Sequence, residues 1–169
     1  MVFFRGEQDH MFRLNKLADY ALVVMQYVAS HPDEPLYTAR SLAKATHLPV
    51  PTVIKVLKGL LEHGLLISHR GVKGGYASAR PATQISVAEI IEAIEGPMGF
   101  TECAITPGRC DLEGRCRIQA NTRIIGQMIE QTMKSISLAD LTALLRVAAR
   151  APNHRSLITS IALRSGGVQ

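Results

Sequence analysis

Residues 38–78 read TARSLAKATHLPVPTVIKVLKGLLEHGLLISHRGVKGGYAS, and this stretch decides the fold. Thr38 can cap a short helix that keeps Leu42 and Ala43 inward and ends near Thr46-His47. After a tight connection, Pro49 and Pro51 stand at the mouth of a second helix, where the first N–H groups have no intrahelical partner. Val53, Val56, Leu57, Leu60 and Leu61 form its inward stripe, and Gly64 ends it. Thr52, Lys55, Gly59 and Glu62 fall on the opposite face, flanked by Lys58. Two short helices joined this way, the second with a basic outer face, predict a helix-turn-helix. Leu65–Ser68, a turn at Arg70–Gly75 and Tyr76–Ala79 then read as a β-hairpin, the wing of a winged helix. Arg70, Lys73 and Gly74 give its tip charge and a close approach to a phosphate backbone.

Upstream, Leu14, Leu17, Ala21, Val24 and Val28 recur at helical spacing over about Asn15–Ser30. Asn15 can cap that helix, and His31-Pro32 stops it, because a residue before proline is pushed out of the α region. Downstream, Ser86 and Glu89 form a capping box for a helix whose inward face is Val87, Ile90, Ile91 and Ile94. An ordered loop follows, then, after Cys116, a long helix to about Lys134 carrying Ile118, Thr122, Ile125, Ile129 and Met133 on one stripe. Ser137 and Asp140 cap a last short helix through about Val147.

The expected fold class is mainly α, with a two-stranded wing. The expected divisions are a mobile extension at 1–12, a winged helix-turn-helix domain at 13–97 and a cysteine loop at 98–117. A dimerisation helix with a final short helix covers 118–147, and a basic flexible tail covers 148–169. Since residues 13–96 suffice for a winged-helix core, the long helix needs another partner. A second copy of the chain, meeting it through Ile118, Ile125, Ile129 and Met133, is the simplest; packing back on its own domain is the alternative.

Composition narrows the class. Residues 38–80 hold seven Lys and Arg against the single acid Glu62, an excess larger than the +5 of the whole chain. Residues 81–104 hold four Glu and no base. A basic block of this kind suits a polyanion, nucleic acid first. No apolar run approaches the roughly 18 residues of a membrane span, and the first ten residues lack the pattern of a secretory signal, so a cytoplasmic location is expected. There is no HExxH, phosphate-binding loop or nucleophile elbow, and the six histidines are scattered, so no enzyme is expected.

All three cysteines lie in FTECAITPGRCDLEGRCRIQ, residues 100–119, at C-x6-C-x5-C spacing. An odd number of thiols in a reducing compartment points away from a disulfide framework and toward metal or redox chemistry. Thiolates are soft ligands for iron–sulfur clusters, zinc or copper(I), and the short C-x2-4-C pairs of structural zinc sites are absent. Three unbound thiols in a loop are the alternative. Three cysteines leave a fourth position, for which Glu102, Asp111, Glu113 or a residue of a partner subunit are candidates.

The order L-x-K-L-A-D-Y-A at 14–21, the helix-turn-helix, R-G-V-K-G-G-Y at 70–76, E-I-I-E-A-I-E-G-P at 89–97 and T-E-C at 101–103 carries a resemblance. The chain resembles winged-helix iron–sulfur transcriptional regulators of the IscR/NsrR type, and among them the proteobacterial regulators of the SUF cluster-assembly system. That resemblance implies a homodimer crossed through the long helix on palindromic operator DNA, repressing cluster-assembly genes. It implies an iron–sulfur cluster, 2Fe-2S or 4Fe-4S, on Cys103, Cys110 and Cys116. IscR-like members add a histidine three residues after the last cysteine, where this chain has Gln119. NsrR-like members use an acid in the first helix of the other subunit, and Asp19 matches that position. Thr52 and Lys55 are then expected at base edges, Lys58 at a phosphate, and Arg70, Lys73 and Gly74 along the backbone. A metal-free, thiol redox-sensing winged-helix repressor is the alternative function.

Overall fold

The computed structural model describes residues 14–71 and 73–143. The expected extension at 1–12, the end of the last helix near Val147 and the tail at 148–169 lie outside the described residues, as does Val72 in the wing.

Helix α1, Lys16–Ser30, starts where Asn15 accepts from the N–H groups of Leu17 and Ala18 at 2.8 and 3.0 Å. Its buried stripe is Ala18, Ala21, Val24, Met25 and Val28. Leu14, expected on that stripe, precedes the first helical residue and is exposed. Helix α2, Ala39–Thr46, begins at a Thr38–Ser41 capping box, and His47, in the left-handed region at φ 57°, turns the chain toward helix α3, Val50–Glu62. The wing is an antiparallel pair, β1 Leu66–His69 and β2 Gly75–Ser78, with Leu66 opposite Ser78 and His69 opposite Gly75. Each strand lies one residue from its expected span.

Helix α4, Val87–Glu95, carries the expected Ser86–Glu89 capping box. The cysteine segment, expected as an ordered loop, contains the short helix α5, Glu102–Ile105, and a 3₁₀ turn, Glu113–Arg115. Helix α6, Gln119–Ser135, is the long helix, and α7, Leu138–Thr142, opens on a Ser137–Asp140 capping box.

The core is aliphatic. Helix α1 packs against α2, α3, α4 and α7, and the last of these sends Leu138 into the core beside Ile85 and Ile90. Two hydrogen bonds, Val87 N–H to Ile136 O at 2.9 Å and Leu138 N–H to Ile85 O at 2.7 Å, clamp the C-terminal end of α6 to the start of α4. Gly59 corrects one expectation. It does not stand on the outer face of α3: a Cβ there would lie 2.8 Å from Ile94 Cδ1 and 3.1 Å from Ala93 O, so its missing side chain is what lets α4 dock.

Backbone bonds between Tyr37 and Tyr76, 2.8 and 2.7 Å, tie the wing to the residue before Thr38. Gly75 sits against that bridge, and a Cβ on it would lie 2.7 Å from Tyr37 O. Gly75→Ala should therefore separate the wing from α2 and cost about 1–3 kcal/mol, read as a lowered thermal midpoint. An unchanged midpoint would show that the bridge yields freely.

The Arg80 guanidinium donates to Glu89 Oε1 at 2.7 Å, and the Ser86 N–H donates to Glu89 Oε2 at 2.8 Å. Burial pushes the Glu89 carboxyl up; bonds from the Ser86 N–H, Arg80 and the Ser86 hydroxyl outweigh it and hold the group below the usual carboxylate range. A depressed folded value stabilises above the unfolded carboxylate range, and that stabilisation is lost as pH falls through the folded value. Glu89→Gln should lower the thermal midpoint near neutrality and narrow the gap to the wild type on acidification to about pH 3. A gap that stays constant across this window would reject the assignment.

Candidate nucleic-acid interface and cysteine loop

Helix α3 presents Lys55 and Lys58 to solvent, while Thr52 is half-buried. Lys58 reaches Glu62 at 3.8 Å, one turn on, with both side chains largely exposed. In the wing, Arg70 and Lys73 are exposed. Among the described residues, no ion pair engages Lys55 or Arg70. Gly74 has an internal reason for its identity: a Cβ there would lie 2.2 Å from His69 O, and its N–H closes the turn onto Gly71 O at 2.9 Å.

Two residues of this face escaped the sequence reading. Val50 and Ile54 are exposed, although α3 also supplies four buried aliphatic side chains to the core. An apolar residue is assigned to the core by default; Ile54 falls off the stripe of Val53, Val56, Leu57 and Leu60, which was an available signal, whereas Val50, at i−3 to Val53 and i−7 to Leu57, continues that stripe and gave none.

The three cysteines are free thiols, Cys103 buried and Cys110 and Cys116 half-buried. Cys103 lies in α5, where Thr101 Oγ1 contacts its Sγ at 3.3 Å. Cys110 and Cys116 flank the 3₁₀ turn. Glu113, between them, is the clasp of the loop: it accepts from the Gly108 N–H at 2.5 Å and from Gln119 Nε2 at 3.3 Å, and it faces Arg123 of α6 at 3.8 Å. Gln119 is thus engaged with Glu113. Asp19 is exposed on the first turn of α1. Among the described residues, no three His, Cys, Asp or Glu side chains converge on one point within the chain. The donor chemistry, three soft thiolates on one loop, fits an iron–sulfur group, whereas the geometry of a single chain does not assemble it.

Helix α6 lies over α4, and Gly126 accommodates Phe100, whose Cβ a side chain there would meet at 3.2 Å. A cleft of about 400 Å³ remains between them, lined by Ile91, Pro97, Phe100, Ile129 and Met133, with Glu95 and Glu130 at its polar positions. Of the four expected interface residues, Ile129 and Met133 face this cleft, whereas Ile118 and Ile125 are 62% and 42% exposed. No residue of α6 is fully buried.

A family model described as Rrf2, iron-dependent transcriptional regulator, matches residues 14–144. The chain belongs to the Rrf2 family. It is similar to the HTH-type transcriptional regulator IscR of Photorhabdus laumondii, 30% identical over 146 residues, which cover 85% of this chain and 88% of that one. It is also similar to an HTH-type transcriptional regulator of Mycobacterium tuberculosis, 35% identical over 86 residues; there the match spans only 53% of the relative. Among solved structures, IscR of T. potens aligns with a TM-score of 0.61 at 25% identity, covering 86% of this chain and 96% of that one. CymR, the global cysteine regulator of B. subtilis, aligns with a TM-score of 0.61 at 23% identity, covering 78% and 96%, a likeness of fold alone. This Rrf2 chain is a winged-helix, DNA-binding transcriptional regulator of the IscR/NsrR type and not an enzyme. No helix among its described residues is long and apolar enough to cross a membrane.

Glu113→Ala should release the Gly108 N–H and Arg123 together. In the reduced, metal-free protein, Cys110 and Cys116 should then be alkylated about threefold to tenfold faster, as expected for about 1 kcal/mol of lost local hydrogen bonding. Cys103, buried in α5, should keep its rate. Equal rates at all three thiols before and after substitution would show that Glu113 does not hold the loop.

Proposed function

We propose that this Rrf2 regulator is a homodimeric, cytoplasmic repressor of iron–sulfur cluster assembly genes, the SUF system in particular, and that it senses an iron–sulfur cluster. Cys103, Cys110 and Cys116 would hold the cluster together with the partner subunit's Asp19. The observation that carries this reading is the position of three free thiols on one loop between the reading head and the long helix. An exposed Asp19 and a Gln119 already engaged with Glu113 favour a ligand from outside the loop. When bound, the cluster supplies redox and exchange chemistry, and a carboxylate among its ligands makes it labile to oxidants and nitric oxide.

The chain's own residues divide the remaining work. Thr52 and Lys55 address base edges, Lys58 a phosphate, and Arg70, Lys73 and Gly74 the backbone beside the palindromic operator. Ile118 and Ile125, exposed on a helix with no fully buried residue, meet the partner's copy of the helix, with Ile129 and Met133 continuing the seam. The domain division expected from the sequence belongs to the same proposal. A metal-free thiol switch is the second reading, supported by the same three free thiols.

Anaerobically purified protein examined by Mössbauer spectroscopy and native mass spectrometry separates the two. A cluster-loaded dimer that loses its cluster in Asp19→Ala supports the first reading. A colourless, iron-free protein that resists reconstitution, yet changes DNA affinity on thiol oxidation, establishes the second. Gel shifts of loaded and cluster-free protein must also differ, because a switch requires two states of unequal DNA affinity.

A further inference from the structure

The outward side of α3 is not uniformly polar. Ile54 is 52% exposed and Val50 38% exposed, while Val53, Val56, Leu57 and Leu60 of the same helix are buried. Positions 50 and 54 are one turn apart, so their side chains lie on the same face of the helix. Val50 opens the helix, and the N-terminal part of a recognition helix is the part that reaches base edges. Lys55 and Lys58 border the pair on one side and are exposed, and the wing brings the exposed Arg70 and Lys73. An apolar spot with a basic margin suits a partner that is apolar at a point and anionic around it. Duplex DNA has that character in the major groove, where the thymine 5-methyl is the apolar group on the base-pair edge and phosphates line both sides.

We propose that Val50 and Ile54 form an apolar facet that reads thymine methyl groups in the operator's major groove. This inference rests on α3 being the DNA-reading helix. The facet adds sequence preference, and Lys58, at a phosphate, supplies affinity without it. A lysine that neutralises a phosphate contributes to the salt dependence of binding, and a methyl–methyl contact contributes nothing to it.

The test uses the full-length protein. Duplexes are selected from a random library, and each thymine of the selected site is then replaced by uracil, which removes only the methyl group. At one or two positions per half-site, uracil should weaken binding by about threefold to tenfold. Ile54→Ala should weaken binding by a similar factor, erase the uracil effect at one of those positions, and leave the slope of log affinity against log salt unchanged. Lys58→Ala should show the opposite pattern, a shallower slope with the uracil effect intact. Because the uracil series is run on the unaltered protein, it stands even if a variant folds poorly. Sites with no methyl-sensitive thymine would overturn the proposal. So would uracil effects that persist in both Ile54→Ala and Val50→Ala, or an Ile54→Ala change confined to oligomeric state. Failure to enrich any duplex would overturn the DNA-reading role of α3 as well, which is a different result from enrichment without methyl sensitivity.

Discussion

The enclosure of α1 is the constraint on which the other elements depend. Four helices lean on it, and five of its side chains are buried. Ala18 and Ala21 matter most, because small side chains allow helix axes to come close without leaving voids. The start of α1 is fixed twice over: Asn15 caps the first turn with its side chain, and its own N–H donates to Glu95 Oε1 of α4 at 2.9 Å. The helix is therefore held in register against α4, and α4 in turn sets the positions of α3 on one side and α6 on the other.

Glycine settles how close these helices come. At Gly59 the α3–α4 contact has no room for a Cβ, and at Gly126 the α6 backbone meets Phe100. The first contact is a wedge without slack. The second leaves the cleft beside it open, and among the described residues α6 is covered on one side only. A helix of 17 residues with no fully buried side chain gains little from its own chain, and tertiary burial, rather than intrinsic propensity, is what usually keeps such a helix stable.

Much of the fold was legible because it is written in local signals. Asn15, Thr38, Ser86 and Ser137 each cap the helix that their side-chain chemistry announces, and Gly64 takes the positive φ expected after α3. Signals that depend on two distant segments were not legible. Gly59 reads as an outer-face residue until Ala93 and Ile94 are placed beside it. Leu14 continues a helical stripe in sequence yet stays exposed, because nothing in its local spacing reveals where the core ends. Leu138 joins the core across more than a hundred residues from α1, through a backbone bridge between Ser86 and Ser137 that no periodicity encodes. For the site, residue type was legible and arrangement was not. Three thiols can be counted in a sequence, whereas the clasp made by Glu113, Gly108, Gln119 and Arg123 requires a loop conformation.

Those contacts form one unbroken route between the cysteine loop and α3. The loop is tied by Glu113 to Arg123 of α6; α6 rests on Phe100 and on α4; α4 meets α3 at Gly59 with no free space between backbone and side chain. A close-packed contact of this kind passes on displacement, because neither partner can move independently without opening a void or a clash. Contiguity by itself is a route and not a signal: the loop must have two arrangements, and they must place α3 differently. The half-covered state of α6 matters for this reason. The element joined to the cysteine loop is the least buried long helix among the described residues, and a small change in the energy of the loop can move it more readily than it can move α1, which is packed against four helices.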